Sequence, residues 1–157
     1  MAPGRSSSLA GTVREIVSSR LLPATRDEVF QAFSDPARLA QWWGPRGVTN
    51  DFQQFDFRPG GAWKFTMRGP DGTAHVMDQQ FTEIVRPERI VVRHIQPGHD
   101  FTLTMTFLAR EGRTELVWAM RFDDPAEGEI VRAFVLPANE QNFDRLAAHL
   151  ARTTQSP

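Results

Sequence analysis

The sequence predicts an α+β domain in which a strongly curved antiparallel sheet is covered by one long C-terminal helix. Three observations predict it. Strand-like segments follow one another from Val48 to Phe122 with connections too short for parallel crossovers. The last two strands each have one apolar face: Phe101, Leu103, Met105 and Phe107 alternate with Thr102, Thr104 and Thr106, while Leu116, Trp118, Met120 and Phe122 alternate with Glu115, Val117, Ala119 and Arg121. Finally, Asp124-Pro125 opens a helical pattern running to about Ala151, the only element long enough to cover such a sheet.

The elements follow in order. Thr12 to Leu22 reads as a strand containing Val13, Ile16, Val17, Leu21 and Leu22, stopped by Pro23. Thr25 and Glu28 have capping-box spacing, which opens a helix from about Arg26 to Phe33 with Val29, Phe30 and Phe33 on its buried face. Asp35 as N-cap and Pro36 at the first helical position start a second short helix. Leu39, Trp42 and Trp43 share one of its faces, and Gly44-Pro45 ends it. The two helices form a compact plug.

Val48 to Phe57 is the next strand, turned by Arg58-Pro59-Gly60-Gly61 into another that carries Trp63, Phe65 and Met67 on one side. Gly69-Pro70-Asp71-Gly72 is a hairpin signal, and a strand from His75 to Val85 follows it, ended by Pro87. Ile90 to Ile95 is a β-branched strand closed by Pro97-Gly98, and Glu111-Gly112 marks the last turn. In the long helix Ile130, Phe134, Phe143, Leu146 and Leu150 recur at helical spacing. Pro137 lies among them, and the bond it removes predicts a kink or a break near Leu136.

A chain of 157 residues suits one domain with a substantial core. Residues 1–11 read as a Ser- and Gly-rich tail without the apolar core of a signal peptide, 12–152 as the domain and 153–157 as a second tail. The 18 basic and 19 acidic residues are mixed along the chain, which builds no field for nucleic acid. No apolar run approaches the ~20 residues that cross a membrane. The absence of cysteine excludes disulfides and thiolate chemistry, and a cytoplasmic protein is the default expectation.

The largest feature is an aromatic and methionine lining. Trp42, Trp43, Trp63, Phe65, Met67, Met77, Met105 and Trp118, with Phe134 from the long helix, read as the wall of an apolar core or pocket. His75 and Gln79 share the strand face of Met77 and supply polar groups to it. Ordinary core packing is the alternative, but one helix hardly fills the concave face of such a sheet. A cavity is therefore expected beside the Trp42-Trp43 plug.

His75 and Asp78 fall on opposite strand faces and His99-Asp100 lies in a turn, so neither pair has metal-ligand geometry, and neither a metal nor a cofactor is predicted. There is no Gly-x-Ser-x-Gly elbow, phosphate-binding loop or dinucleotide fingerprint. Asp56 and Glu83 serve acid–base chemistry only if buried close together, and Asp56 beside Arg58 reads as a turn carboxylate. No catalytic residue is assigned.

Five motifs, in order, resemble those of a known family: Leu39-Ala40-Gln41-Trp42-Trp43-Gly44-Pro45, Asp56-Phe57-Arg58-Pro59-Gly60-Gly61, Gly69-Pro70-Asp71-Gly72, Phe81-Thr82-Glu83-Ile84 with Pro87-Glu88-Arg89, and Asp144-Arg145-Leu146. The family is that homologous to the C-terminal domain of the activator of heat shock protein 90 ATPase, within the START-like (SRPBCC) superfamily. The resemblance spans about Arg20 to Leu150. It implies a helix-grip (START-like, Bet-v-type) fold: a curved seven-stranded antiparallel sheet around a long C-terminal helix, two short helices between strands 1 and 2, and a cavity between sheet and helix. Asn139 departs from the family pattern, since similar sequences often carry tryptophan one turn before Phe143.

The function expected is binding of a small hydrophobic or amphipathic molecule in an internal cavity, by a monomer or homodimer. The resemblance also implies a chaperone as a possible partner, the chain then being an interaction module. A third alternative is a cyclase, aromatase or hydrolase acting on a cyclic or polyketide-like substrate.

Overall fold

The structure is a computed structural model that describes residues 15–96 and 99–154. The expected tail at 1–11, the strand start at Thr12 and Val13, the Pro97-Gly98 turn and the end of the second tail at 155–157 lie outside the described residues.

The chain runs β1 (Glu15–Leu22), α1 (Arg26–Ser34), α2 (Pro36–Trp42), β2 (Thr49–Phe55), β3 (Ala62–Arg68), β4 (Ala74–Val85), β5 (Arg89–His94), β6 (Phe101–Arg110), β7 (Arg113–Phe122) and α3 (Pro125–Thr154). The strands form one seven-stranded sheet in the order β1-β7-β6-β5-β4-β3-β2, and each neighbouring pair is antiparallel. β2 to β7 are a meander, and β1 closes onto β7. The observed α+β architecture is the one the sequence predicts.

Local chemistry places the helices as expected. The backbone N–H of Glu28 donates to Thr25 Oγ1 at 3.3 Å while Thr25 N–H donates to Glu28 Oε1 at 2.8 Å, completing the capping box. Asp35 Oδ1 accepts from Ala37 N–H at 3.0 Å and Asp124 Oδ1 from Ala126 N–H at 3.0 Å, each just before a helix that begins at proline.

On the sheet, Met105 stands opposite Trp118 and Phe107 opposite Leu116, all buried on the concave face. Leu103, Met120 and Phe122 join them; Phe101 is only partly covered, its ring 5.1 Å from that of Phe122. By strand alternation Thr102, Thr104 and Thr106 face the other way. β2 and β4 each carry a bulge, at Phe52/Gln54 and Phe81/Glu83, which sharpen the curvature.

Two turns depend on glycine. Gly44 has φ +98°, and a Cβ there would come within 2.9 Å of Val48 Cγ1. At Gly61 a Cβ would fall 1.9 Å from the Asp56 carbonyl oxygen. That turn is held by Gly60 N–H donating to Phe81 O and Phe81 N–H donating to Gly61 O, at 2.7 and 2.9 Å.

α3 differs from expectation in two ways. Of the kink or break expected near Leu136, the break does not occur: one helix passes through Pro137. Phe143, Leu146 and Leu150 are buried, but Ile130 and Phe134 are 80% and 72% exposed. The helix packs along β1 and β7 and against α1 and α2. At about 100° per residue Ile130 and Phe134 lie on roughly the opposite side of the helix from Phe143, and in this half it is Val131 and Val135 that pack against the core, so the five residues do not share the one face expected of them.

Trp42 and Trp43 are both buried, Trp42 almost completely. Trp42→Ala and Trp43→Ala are each expected to destabilise the protein by ~3–5 kcal/mol in urea denaturation. A change within ~0.5 kcal/mol would mark the side chain as a surface residue.

Candidate binding site

The site is built outward from the end of α2. Its last carbonyls and those of the following turn lack helical partners and would be orphaned without donors. Side chains from two other elements supply them. Asn50 Nδ2 donates to Ala40 O and Trp43 O at 3.1 and 2.9 Å, and Asn142 Nδ2 donates to Trp42 O at 3.0 Å. Arg145 donates to Gln41 O, Trp43 O, Gly44 O and Pro45 O at 2.9 to 3.1 Å. Burial pushes the Arg145 guanidinium below its ordinary value, yet arginine stays charged, so these carbonyls solvate the charge.

This collar fixes the Trp43 indole, whose ring centroid lies 5.0 Å from that of Trp63 and 5.3 Å from that of Trp118. Trp118 meets Phe143 of α3 at 4.8 Å, and Trp63 stacks on Phe65 at 4.9 Å and Phe81 at 5.6 Å. Trp42, Trp43, Trp63, Phe65, Met105 and Trp118 therefore pack with one another as one aromatic centre. Trp42 Nε1 donates to Ala32 O at 3.1 Å, whereas the buried Nε1 groups of Trp63 and Trp118 have no acceptor among the described residues.

Beside this centre, a groove of about 580 Å³ opens between the β3–β4 hairpin and the exposed half of α3. Its walls are Met67, Met77, Val76, Ala74, Phe134, Ala138 and Pro45, with His75 and Gln96 as polar groups. A smaller recess of about 260 Å³ shares Pro45, Phe134 and Ala138 and extends to Arg46, Val48 and Pro137. Of the residues singled out from the sequence, the structure brings Met67, His75, Met77 and Phe134 together here. Trp42, Trp43, Trp63, Phe65, Met105 and Trp118 form the packed wall behind, and Gln79 lies inward of Met77 on the same face of β4.

Gln79 begins a buried polar chain. His94 Nδ1 is 3.2 Å from Gln79 Oε1, and His94 Nε2 is 3.2 Å from Gln96 Oε1, at the groove. Burial pushes the His94 imidazole below its ordinary value, against the opposing pull of Gln96, Asp100 and Asp78. A neutral ring donates one of these bonds and accepts the other, so one glutamine presents its amide NH₂. His149 Nε2 accepts from Arg38 Nε at 3.1 Å; burial first, then Arg38 and Arg152, push it down as well.

His99 Nδ1 instead lies 2.7 Å from Glu127 Oε2, on the surface. Asp56 pairs with Arg58 at 2.8 Å and Glu83 with Arg89 at 2.9 Å, both exposed pairs. Among the described residues no group of three or more His, Asp or Glu is placed to hold a metal ion, and no helix is long and apolar enough to cross a membrane. Sequence reading missed Pro45, Gln96, Ala138 and Arg145 as parts of the site. Only Arg145 carried a local signal, an arginine on the buried side of α3 between Asn142 and His149.

A curved antiparallel sheet gripping a C-terminal helix, with two short helices after the first strand, defines a protein of the helix-grip class. The chain matches the family model described as "Activator of Hsp90 ATPase homolog 1-like protein" over residues 23–153, and it belongs to that family. Among solved structures, a Nitrosomonas europaea protein superimposes with TM-score 0.84 at 16% identity, covering 92% of this chain and 98% of its own. A Rhodobacter sphaeroides protein gives 0.80 at 24% identity, covering 89% and 94%. A Chromobacterium violaceum protein gives 0.73 at 25%, covering 87% and 96%. No curated protein matches the chain.

The buried histidines set a pH dependence. His94 and His149 are held below their ordinary value when folded, so the unfolded chain binds more protons as pH falls through about 6.5. Their contribution to stability is complete above that value and is lost as pH drops toward their folded values. The urea midpoint is expected to fall between about pH 7 and pH 5, above the carboxylate range, with His149→Gln flattening the trend. A midpoint constant over this window would contradict the assignment.

Proposed function

We infer that this protein binds a small hydrophobic or amphipathic molecule in the groove between the β3–β4 hairpin and α3. The observation that carries the reading is the groove itself: about 580 Å³, walled by Met67, Met77, Val76, Phe134, Ala138 and Pro45, with polar groups only at His75 and Gln96. This falls within the size range of small-molecule sites, and mostly apolar walls with a few placed polar groups are their usual composition. The methionines give the walls adaptable shape. Family membership is compatible with ligand binding and with chaperone association.

The second reading, an interaction module for a chaperone, draws on the exposed Ile130, Phe134 and Val76, the last also 72% exposed. Exposed apolar side chains that cluster mark partner surfaces. The readings separate by where a small apolar probe goes. Native mass spectrometry of the freshly purified protein should show a small molecule travelling with it. N-phenyl-1-naphthylamine, an uncharged apolar dye, should bind the wild type with enhanced fluorescence, and Ala138→Trp, which fills the groove, should weaken it about tenfold. Glu115→Ala, on the other sheet face, should not. Equal binding by Ala138→Trp would reject the groove and favour the interaction module.

A further inference from the structure

One face of α3 carries apolar side chains that nothing among the described residues covers. Val131 and Val135 pack inward, while Ala126, Ile130, Ala133, Phe134 and Pro137, recurring at intervals of three and four, are all exposed, Ile130 by 80% and Phe134 by 72%. Arg132, the one charged residue between Ile130 and Ala138, turns away to donate to Glu15 O at 3.3 Å. An apolar stripe of this spacing is the seam along which a helix packs on another element. Val76, across the groove from Phe134, carries the apolar surface on to the β3–β4 hairpin.

The seam fits a second copy of itself. With the helices antiparallel and a two-fold axis between Ala133 and Phe134, Phe134 stands over Ala133 of the partner subunit, Ile130 over Pro137 of the partner subunit, and Ala126 over Gln141 of the partner subunit. Larger side chains thereby meet smaller ones, which is the self-complementarity a two-fold contact needs. Charge selects the same direction. At the N-terminal end of the seam Asp100, Asp123, Asp124 and Glu127 surround one recess, with Arg93 and His99 bonded among them. At the other end Arg20, Arg46 and Arg145 stand with only Glu140 and Asp144, and the exposed Arg46 guanidinium is 3.9 Å from an Asp144 that Arg20 already holds at 3.0 Å. Antiparallel pairing brings the acidic end of each copy to the basic end of the other and aligns the helix dipoles favourably. Parallel pairing sets acid against acid.

We propose that the protein forms a two-fold dimer through antiparallel α3 helices, in the register that opposes Ala133 and Phe134. From Ala126 to Gln141 the seam runs roughly four turns. That is less surface than the ~800 Å² per partner of a standard interface, so the dimer is weak, with Kd on the order of 10 µM. The second helix lies along the rim of the groove formed by Phe134 and Ala138, and covers apolar surface that otherwise faces water. A dimer of this kind needs no ligand in the groove.

Sedimentation equilibrium of the full chain, from about 1 to about 200 µM, should show a reversible dimer. Ile130→Glu, outside the groove lining, should raise Kd at least about tenfold, and so should Phe134→Glu. Both side chains are exposed, so the variants should keep the wild-type circular dichroism; if one does not fold, the other and the wild-type protein decide. The register is read with introduced cysteines, since the native chain has none. On mild oxidation Ala133→Cys, beside the two-fold axis, should form a disulfide between copies, whereas Ala126→Cys, its two copies roughly 22 Å apart along the paired helices, should not. A protein that stays monomeric at the highest concentration would overturn the dimer, and a dimer that neither glutamate weakens would overturn its placement on α3. Absence of the Ala133→Cys cross-link, or equal cross-linking of Ala126→Cys, would overturn the antiparallel register. Because Ile130 does not line the groove, binding of N-phenyl-1-naphthylamine by Ile130→Glu reports on the groove independently of the dimer.

Discussion

The rest of the molecule depends on how the backbone carbonyls from Ala40 to Pro45 are satisfied. Here a short helix ends and the chain turns back toward the sheet, half-buried beneath α3. Water cannot serve all of these oxygens, and the buried ones need partners from the protein. Asn50 comes from β2, Asn142 and Arg145 from α3, so the same few hydrogen bonds that close the end of α2 also bind it to the sheet and to the long helix. Gly44, with its positive φ and close approach to Val48, lets the carbonyls of Trp43, Gly44 and Pro45 converge on one guanidinium. A lysine in place of Arg145 would bring a point charge with fewer, less rigid donors, and could not reach this set in the same way.

Fixing that turn fixes Trp43, and Trp43 decides where the interior is full. Its ring lies between those of Trp63 and Trp118, and with Phe143 the centre of the concave face is packed. Space that a sheet of this curvature would otherwise enclose centrally is displaced to one side, between the β3–β4 hairpin and the first turns of α3. The same displacement explains the two halves of α3. Around and beyond Asn139 it exchanges hydrogen bonds and apolar contacts with β1, α2 and the aromatic centre; before Pro137, Val131 and Val135 still pack inward and Arg132 donates to Glu15 O, while the opposite face, with Ile130 and Phe134, is left exposed and Phe134 borders the groove. Proline is tolerated in this helix where it borders the groove's smaller recess.

What could be read from the sequence follows from the periods of its elements. β6 and β7 were legible because a period of two allows only two faces, and Leu103, Met105, Phe107, Leu116, Trp118 and Met120 name one of them unambiguously. The caps at Thr25, Asp35 and Asp124 were legible because they act within a few residues of themselves. The bulges in β2 and β4 were not, since an extra residue in a ladder is defined only by the partner strand. The groove was half legible: Met67, His75, Met77 and Phe134 reach it, but the tryptophans that suggested a pocket fill its wall. Aromatic side chains announce apolar surroundings, and whether these are ligand or other aromatic rings depends on contacts between residues distant in sequence, such as Trp43 with Trp118. Asn142 and His149 lie on the buried side of α3 with Phe143, Leu146 and Leu150, and their partners, Trp42 O and Arg38, come from α2, far away in sequence.

The polar groups at the groove are the imidazole of His75 and the amide of Gln96, with a buried polar chain behind them. The imidazole of His94 is kept uncharged by its burial, with glutamine amides on both sides, and the rest of the polar chain cannot ionise. Among the described residues lining the groove there is no carboxylate, lysine or arginine; the nearest cation of the adjoining recess is Arg46, on its far side. Ionic recognition draws much of its strength from charges that water and salt screen readily at an open site, and such a site would change with pH and ionic strength. Here the groove offers shape, apolar area against Met67, Met77 and Phe134, and the polar groups of His75 and Gln96. The shape of that groove is set by the packing of the aromatic centre behind it.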